Sequence, residues 1–158
     1  MTLELSNDSA LCGLYTAMPP DDELALEAAF ERYLDHYRHP RNYHILPQAQ
    51  AVGRVEWAGG AMLTFYLQLA QDQEQPPRIE RAGFQSQRCG IAVAYASLLS
   101  EWLQGRPVAE AWRIGPAELM QYFGPRAGAI DAAGRAVTAL RQALAQVPGA
   151  GPGGRQEA

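Results

Sequence analysis

The chain has 158 residues, 47% of them hydrophobic, which is enough apolar material for the core of one compact domain. The formal net charge of −4 disfavours nucleic-acid binding, which depends on clustered positive charge, and no apolar run approaches the roughly 20 residues that span a membrane. Two cysteines, Cys12 and Cys89, are too few for a disulfide scaffold, and the first ten residues lack the features of a secretory signal. We therefore expect a cytoplasmic protein that binds neither nucleic acid nor membrane.

The first part of the chain contains an extension and a helix. Residues 1–21 have no clean periodicity, so we interpret them as an N-terminal extension. Acidic residues then open a segment with apolar side chains at helical spacing, which predicts a helix over about 22–37. Its apolar residues are Leu24, Leu26, Phe30, Tyr33, Leu34 and Tyr37. Pro40 ends this helix, because the residue before a proline avoids the helical region.

Three strands are predicted next, at about 51–57, 61–69 and 78–87. The second strand has the alternation of a half-buried strand, with Leu63, Phe65, Leu67 and Leu69 on one side and more polar residues on the other. The links between the strands are short, which favours an antiparallel meander.

The remainder of the chain is predicted to be helical. A long helix follows at about 90–104, two short helices at 107–112 and 116–123, and a last helix at about 130–146. The last helix has an apolar stripe of Ile130, Ala133, Val137, Leu140 and Leu144. Residues 147–158 are rich in glycine and proline and are predicted to be a disordered tail. Strands followed by helices predict one α+β domain over 22–146, a three-stranded antiparallel sheet with helices packed on one face.

Two separated motifs resemble those of a known family. Residues 33–42 read YLDHYRHPRN, which resembles the "DHYxNPRN" segment of the IscU/SufU/NifU N-terminal family of iron–sulfur cluster assembly scaffold proteins. Residues 82–105 resemble that family's "FxxxGCxxxxASxSxxxExxxGK" segment, and residues 107–111 resemble its "SLDEA". The resemblance spans about residues 26–145 and implies the same three-stranded fold.

The resemblance also implies a site, of which this chain keeps only part. The family assembles a [2Fe–2S] cluster on three cysteines, with an aspartate and a histidine nearby, because soft thiolates hold iron and sulfide well. The second cysteine is matched by Cys89. The first and third cysteine positions are occupied by Gly59 and Ala132, and the aspartate position by Ala61. Asp131 stands at the histidine position.

Cys89 is therefore the main candidate site residue, as a persulfide acceptor or a single metal ligand. It opens a helix after Arg88, and both the helix dipole and the cation favour a thiolate. The alternative is a small buried residue without a chemical role. Asp131 and Cys12 are further candidate metal ligands, Cys12 only where the extension folds over the site. The histidines in 36–44 are expected to be structural.

Two functions remain open at this point. The first is a scaffold-like, non-enzymatic assembly protein that docks on a cysteine desulfurase or a recipient apoprotein and accepts sulfur or iron at Cys89. The second is a pseudo-scaffold adaptor or regulator that binds a desulfurase or a maturing metalloenzyme without carrying a cluster. No firmly bound cofactor is expected, but iron or a labile [2Fe–2S] cluster shared across a homodimer stays an alternative. The segment at which the family's Hsp70-type chaperone docks, "LPPxK", is replaced by PRAGA at residues 125–129.

Overall fold

The computed structural model of the chain describes residues 23–70 and 76–148. The predicted extension 1–21 and all but the first two residues of the predicted tail lie outside them. The helices and strands follow in this order: α1 (Glu23–Arg38), β1 (Ala51–Trp57), β2 (Ala61–Leu69), β3 (Ile79–Gln87), α2 (Gly90–Leu103), α3 (Val108–Ala111), α4 (Pro116–Phe123) and α5 (Ala129–Leu144).

The three strands form an antiparallel meander in the order β1-β2-β3, which confirms the predicted fold class. The central strand, β2, buries Leu63, Phe65 and Leu67 completely. Phe65 pairs with Phe84 of β3, and the two rings pack with their centres 5.9 Å apart. The alternation along β2 follows from the pleat of a strand, which sends neighbouring side chains to opposite faces.

Helices α2 and α5 cover the buried face of this sheet. A Cβ atom built on Gly53 of β1 would lie 2.0 Å from the carbonyl oxygen of Ala139, so α5 crosses directly over β1. Only a glycine allows this approach. A completely buried leucine in this layer, such as Leu140, contributes about 1.5–3 kcal/mol relative to an exposed one. Val147, the first residue of the predicted tail, is also buried here.

Two glutamines, one in α5 and one just after it, cover the free edge of β1. The backbone N–H of Val52 donates to Oε1 of Gln146 at 3.1 Å, and the Gln146 side chain donates back to the Val52 carbonyl at 2.6 Å. The backbone N–H of Arg54 likewise donates to Gln142. These contacts satisfy strand groups that would otherwise template pairing with another chain, and they fix α5 against the sheet.

Several apolar residues in the predicted helices are exposed. Leu24 of α1 keeps 80% of its surface exposed, and Ile130 at the start of α5 keeps 62%. The buried face of α1 consists instead of Ala29, Tyr33 and His36. A polar side chain lies inward here because it finds hydrogen-bond partners on α2. Within residues 23–70 and 76–148, no helix is long and apolar enough to cross a bilayer.

Candidate functional site

Cys89 lies between β3 and α2, at the point where the sheet leads into the helix. It is the N-cap residue of α2, with φ −154° and ψ 98°, and its side chain makes no capping hydrogen bond. The thiol is free and half-buried. The carbonyl oxygen of Cys89 accepts a hydrogen bond from the Ser86 hydroxyl at 3.1 Å, which holds the backbone in place. Cys89 thus stands at the positive end of a 14-residue helix, and its thiol does not cap that helix.

The turn between β1 and β2 lies at the same end of the sheet. Met62, just after the turn, pairs with Gln87, two residues before Cys89. The turn contains Gly59 and Gly60, both with φ above +80°. A Cβ atom on Gly59 would meet nothing within 4 Å, so a side chain at this lost cysteine position would project into open space.

The start of α5 completes this end of the domain. A Cβ atom on Gly128, the N-cap of α5, would lie 3.3 Å from the side chain of Ile91 in the first turn of α2. In the first turn of α5, Ala132 is buried and Asp131 is exposed. The positions of the family's lost ligands therefore lie on two segments, the β1–β2 turn and the start of α5, at the same end of the sheet as Cys89.

Aromatic side chains of α1 line the approach to the thiol. The Tyr37 hydroxyl lies 3.0 Å from a Cβ atom built on Gly90, the residue after Cys89. Burial raises the pKa of Tyr33, the Arg126 guanidinium opposes this rise, and the negative charges of Tyr37 and Cys89 add to it. Tyr33 is therefore close to both the thiol and a guanidinium group.

Arg126 is held between rings rather than by a carboxylate. Its guanidinium carbon lies 3.9 Å from the centre of the Tyr33 ring, and it donates a 2.6 Å hydrogen bond to the carbonyl oxygen of Phe123. The hydroxyl of the completely buried Tyr95 also lies near Arg126, which opposes the rise that burial causes in the pKa of Tyr95. Nε of Arg126 and the Tyr95 hydroxyl are both buried without a hydrogen bond, so the interaction between these two residues is one of charge with dipole.

The YLDHYRHPRN segment forms a buried polar network away from the thiol. Nδ1 of His36 lies 2.7 Å from the Ser97 hydroxyl, which accepts a 2.8 Å hydrogen bond from the backbone N–H of Arg41. The Ser97 hydroxyl still has its own proton to donate to Nδ1, an arrangement that suits a neutral His36 imidazole. Burial lowers the pKa of His36, Arg41 lowers it further, and Glu101 opposes both. His36 has the hydrogen bonds of a structural residue and not those of a metal ligand.

The same network continues through two more residues. The Asn42 side chain donates to the Ser100 hydroxyl at 3.0 Å, and Ser100 donates to the carbonyl oxygen of Ser97 at 2.7 Å. Asp35 accepts a hydrogen bond from Arg41, which lowers the pKa of its carboxyl group. The loop after α1 is therefore fastened to α2 along its polar side.

The donor set of one chain does not fit a [2Fe–2S] cluster. Such a cluster takes about four protein ligands, and Cys89 is the single thiol in the described ranges. Across 23–70 and 76–148, no three side chains of His, Cys, Asp or Glu come together as a metal site. Cys12, the other cysteine proposed as a ligand, lies outside the described residues.

Sequence reasoning did not identify Arg126 and Arg135 as site residues. The Arg135 guanidinium carbon lies 4.3 Å from the centre of the Trp57 ring, at the start of the β1–β2 turn. A sequence signal was present, since Arg126 replaces a proline of the family motif and Arg135 follows Ala132 by about one helical turn.

The comparisons with known proteins agree with this geometry. The model of the family described as "NifU-like N terminal domain" matches residues 29–150. The chain is 30% identical over 91 residues to the iron–sulfur cluster assembly scaffold protein IscU of Haemophilus influenzae, covering 58% of this chain and 72% of that protein. It is 31% identical over 96 residues to IscU of Aquifex aeolicus, covering 60% of this chain and 59% of that protein.

Two solved structures share the fold. One is a putative iron–sulfur cluster assembly scaffold protein for the SUF system from Fervidobacterium islandicum, with a TM-score of 0.59 and 15% identity over 72% of this chain and 94% of that one. The other is the N-terminal part of a NifU-like protein from Brucella abortus, with a TM-score of 0.56 and 16% identity over 77% and 96%. At these identities the likeness shows the fold alone.

Proposed function

Because the chain belongs to the family of NifU-like N-terminal domains, we propose that it is a non-enzymatic iron–sulfur assembly protein of the cytoplasm that accepts sulfur at Cys89. The sulfur donor is a cysteine desulfurase, and the receiving group is the Cys89 thiolate. The single observation that carries this proposal is the free, half-buried thiol at the N-terminus of α2, in the one ligand position that the chain retains.

The surroundings of Cys89 support a role in transfer rather than in storage of a cluster. A helix N-terminus stabilises a thiolate, which is the nucleophilic form of cysteine. The glycines of the β1–β2 turn leave the approach open, because no atom lies within 4 Å of a Cβ atom on Gly59. The exposed rings of Phe30 and Tyr37 on α1 offer apolar surface beside the thiol to a docking protein.

The test is mass spectrometry of the chain after incubation with a cysteine desulfurase and free cysteine. We expect one added sulfur atom on Cys89, sensitive to a reducing agent. The Cys12→Ser variant should load normally, and the Cys89→Ser variant should not load. Absence of added sulfur, or sulfur on Cys12 alone, would contradict the proposal.

The loss of three ligand positions favours a second function, an adaptor that binds a desulfurase or a maturing metalloenzyme without carrying sulfur. That function predicts co-purification with such a protein that persists in the Cys89→Ser variant.

Cluster reconstitution under anaerobic conditions gives a further prediction. One chain supplies a single described thiolate where about four ligands are needed, so no stoichiometric [2Fe–2S] cluster is expected on the monomer. The measurement is the visible absorption band together with the iron content, read across a size-exclusion profile. A cluster cargo that elutes with a dimer would indicate sharing between two Cys89 residues. A chelator-resistant cluster on the monomer would contradict the prediction.

A further inference from the structure

One guanidinium group lies deep at the end of the sheet that contains Cys89. Arg126 stacks on Tyr33, and the Tyr33 ring stacks on Tyr37 with ring centres 5.8 Å apart. The Tyr37 hydroxyl lies 3.0 Å from a Cβ atom built on Gly90, the residue after Cys89. Arg126 therefore brings a positive charge to the end of the sheet that contains the thiol.

Two more guanidinium groups flank the β1–β2 turn. The side chain of Arg88 lies over Gly60, with its Nε 3.3 Å from a Cβ atom built there. Arg135 reaches the same turn from α5 by stacking on Trp57. The three arginines thus come from three different segments at the end of the sheet that contains the lost ligand positions.

None of the three is neutralised within the described ranges. Arg41, Arg54 and Arg106 each pair with a carboxylate, at distances up to 3.6 Å. In residues 23–70 and 76–148, no carboxylate lies within 4.0 Å of the side-chain nitrogens of the site arginines, Arg88 and Arg126 in particular. The overall charge of the chain is negative, so a group of arginines without a carboxylate partner in the described ranges is a local feature of this end.

We propose that Arg88, Arg126 and Arg135 make this end of the domain a site for anionic sulfur. They attract the persulfide of a sulfur donor to Cys89 and hold the persulfide anion that forms there. The inference rests on the proposed function and names the sulfur species, together with the residues that select it.

The chemistry of sulfur transfer brings two anions together. The Cys89 thiolate attacks the outer sulfur of the donor persulfide, and a new S–S bond forms at Cys89. The S–S bond of the donor breaks, and its electron pair leaves on the donor cysteine as a thiolate. Electrons and charge balance without an external oxidant. The repulsion between the two anions is offset by the guanidinium groups at this end of the domain, which would repel a free iron cation.

The backbone of Arg88 gives an independent reason. Arg88 has φ +61°, a conformation that costs energy for any residue with a side chain, and the resembling family has glycine here. An arginine in a strained conformation next to the thiol, in place of that glycine, supports a functional role for its side chain.

The experiment compares two disulfide reagents on the full chain in a Cys12→Ser background. One is the dianion dithiobis(nitrobenzoate), and the other is the neutral dithiodipyridine. Both reagents react with the same Cys89 thiolate, so the ionised fraction of the thiol cancels when the rate constant of the charged reagent is divided by that of the neutral one. This ratio therefore reports how strongly the site attracts an anion. Substituting Arg126→Gln should lower this ratio about three- to tenfold, and Arg88→Gly and Arg135→Gln should lower it by smaller factors.

Matched controls separate charge from structure. Arg126→Lys retains the charge and should retain most of the ratio. Arg81→Gln removes the same charge from an exposed position on β3, about 20 Å of strand away from Cys89, and should leave the ratio unchanged. Raising the salt concentration from about 10 mM to about 1 M should reduce the ratio of the unsubstituted chain towards that of Arg126→Gln.

Unchanged ratios in all three arginine variants, with folding verified by circular dichroism, would overturn the inference. The desulfurase assay is a separate readout, since it tests whether sulfur reaches Cys89 at all. A charge-dependent ratio without sulfur loading would support the anion site and overturn the proposed function. Normal loading with unchanged ratios would retain the function and overturn the role of the arginines.

Discussion

The network around His36 and the site around Cys89 lie at neighbouring parts of the same α1–α2 layer, but their polar groups differ in how they are hydrogen-bonded. Around His36, the imidazole, the Ser97 hydroxyl and the backbone N–H of Arg41 have partners within 3 Å, whereas Nη1 of Arg41 is buried without an acceptor. Around Cys89, the thiol makes no capping bond, and Nε of Arg126 is buried without an acceptor.

This difference indicates that the two parts of the family motif serve different purposes. The His36 network links segments 61 residues apart and removes the cost of burying polar groups, so folding depends on it. Gly59 and Cys89 contribute little to the core, since neither is fully buried, whereas Ala61 and Ala132 are small buried residues. The chain was therefore able to replace ligands while it retained the fold.

The largest expected effect is on the buried network. Ser97→Ala should lower the free energy of unfolding by about 2–3 kcal/mol, because it leaves the Arg41 N–H and Nδ1 of His36 buried without partners. Urea denaturation measures this change. The matched control is Ser86→Ala at the site, which removes one partly buried hydrogen bond and should cost about 1 kcal/mol or less. Equal losses in the two variants would contradict the comparison.

A pH dependence should follow from the same histidine. Burial lowers the pKa of His36 in the folded chain, so the unfolded chain takes up a proton first as the pH falls below about 6.5. Stability is therefore present above that pH and is lost as the pH falls towards the lower folded pKa, by at most about 1.4 kcal/mol per pH unit. Denaturation between pH 7.5 and pH 5, in roughly half-unit steps, measures the slope.

The control for this prediction is another histidine of the same segment. His36→Gln should remove most of the slope, whereas His39→Gln, at an exposed position, should retain it. A slope that is unaffected by His36→Gln would show that other groups cause it.

A smaller effect of opposite sign is expected at the site. Arg88→Gly should raise the free energy of unfolding by about 0.5–1 kcal/mol, because glycine adopts φ near +60° without strain. Thermal unfolding measures this gain. A loss of stability would mean that the Arg88 side chain contributes more by packing on Gly60 than its backbone costs.

The smallest effect is expected at the thiol itself. Cys89→Ser should change the free energy of unfolding by less than about 0.5 kcal/mol, because the side chain is half-buried and makes no capping hydrogen bond. The same variant should lose sulfur loading completely. A marked loss of stability would identify Cys89 as a packing residue and favour the adaptor function.

Much of the fold was predictable from local patterns in the sequence. The alternation in 61–69 depends on the strand pleat alone, and the prolines and glycines between elements limit where each helix ends. The predicted strands at 51–57 and 61–69 agree with β1 and β2, and the third begins one residue later than predicted. The motifs at 33–42 and 82–105 were sufficient to identify the family.

The inward face of α1 was not predictable in this way. The apolar residues Leu24 and Phe30 remain exposed, and His36 is buried, because a hydrogen bond to Ser97 repays the burial of the imidazole. Periodicity reports which side chains are apolar. It does not report which polar side chains will find a partner on another element.

The sequence by itself determined the family, the three-stranded topology and the loss of ligands at Gly59, Ala61 and Ala132, because each of these depends on residue identity at fixed spacing. Only the tertiary structure decided that Arg88, Arg126 and Arg135 lie at the same end of the domain as Cys89, since they belong to separate segments up to 47 positions apart in the chain. The electrostatic field at a thiol depends on distance through space, and sequence spacing carries no measure of that distance until the chain has folded.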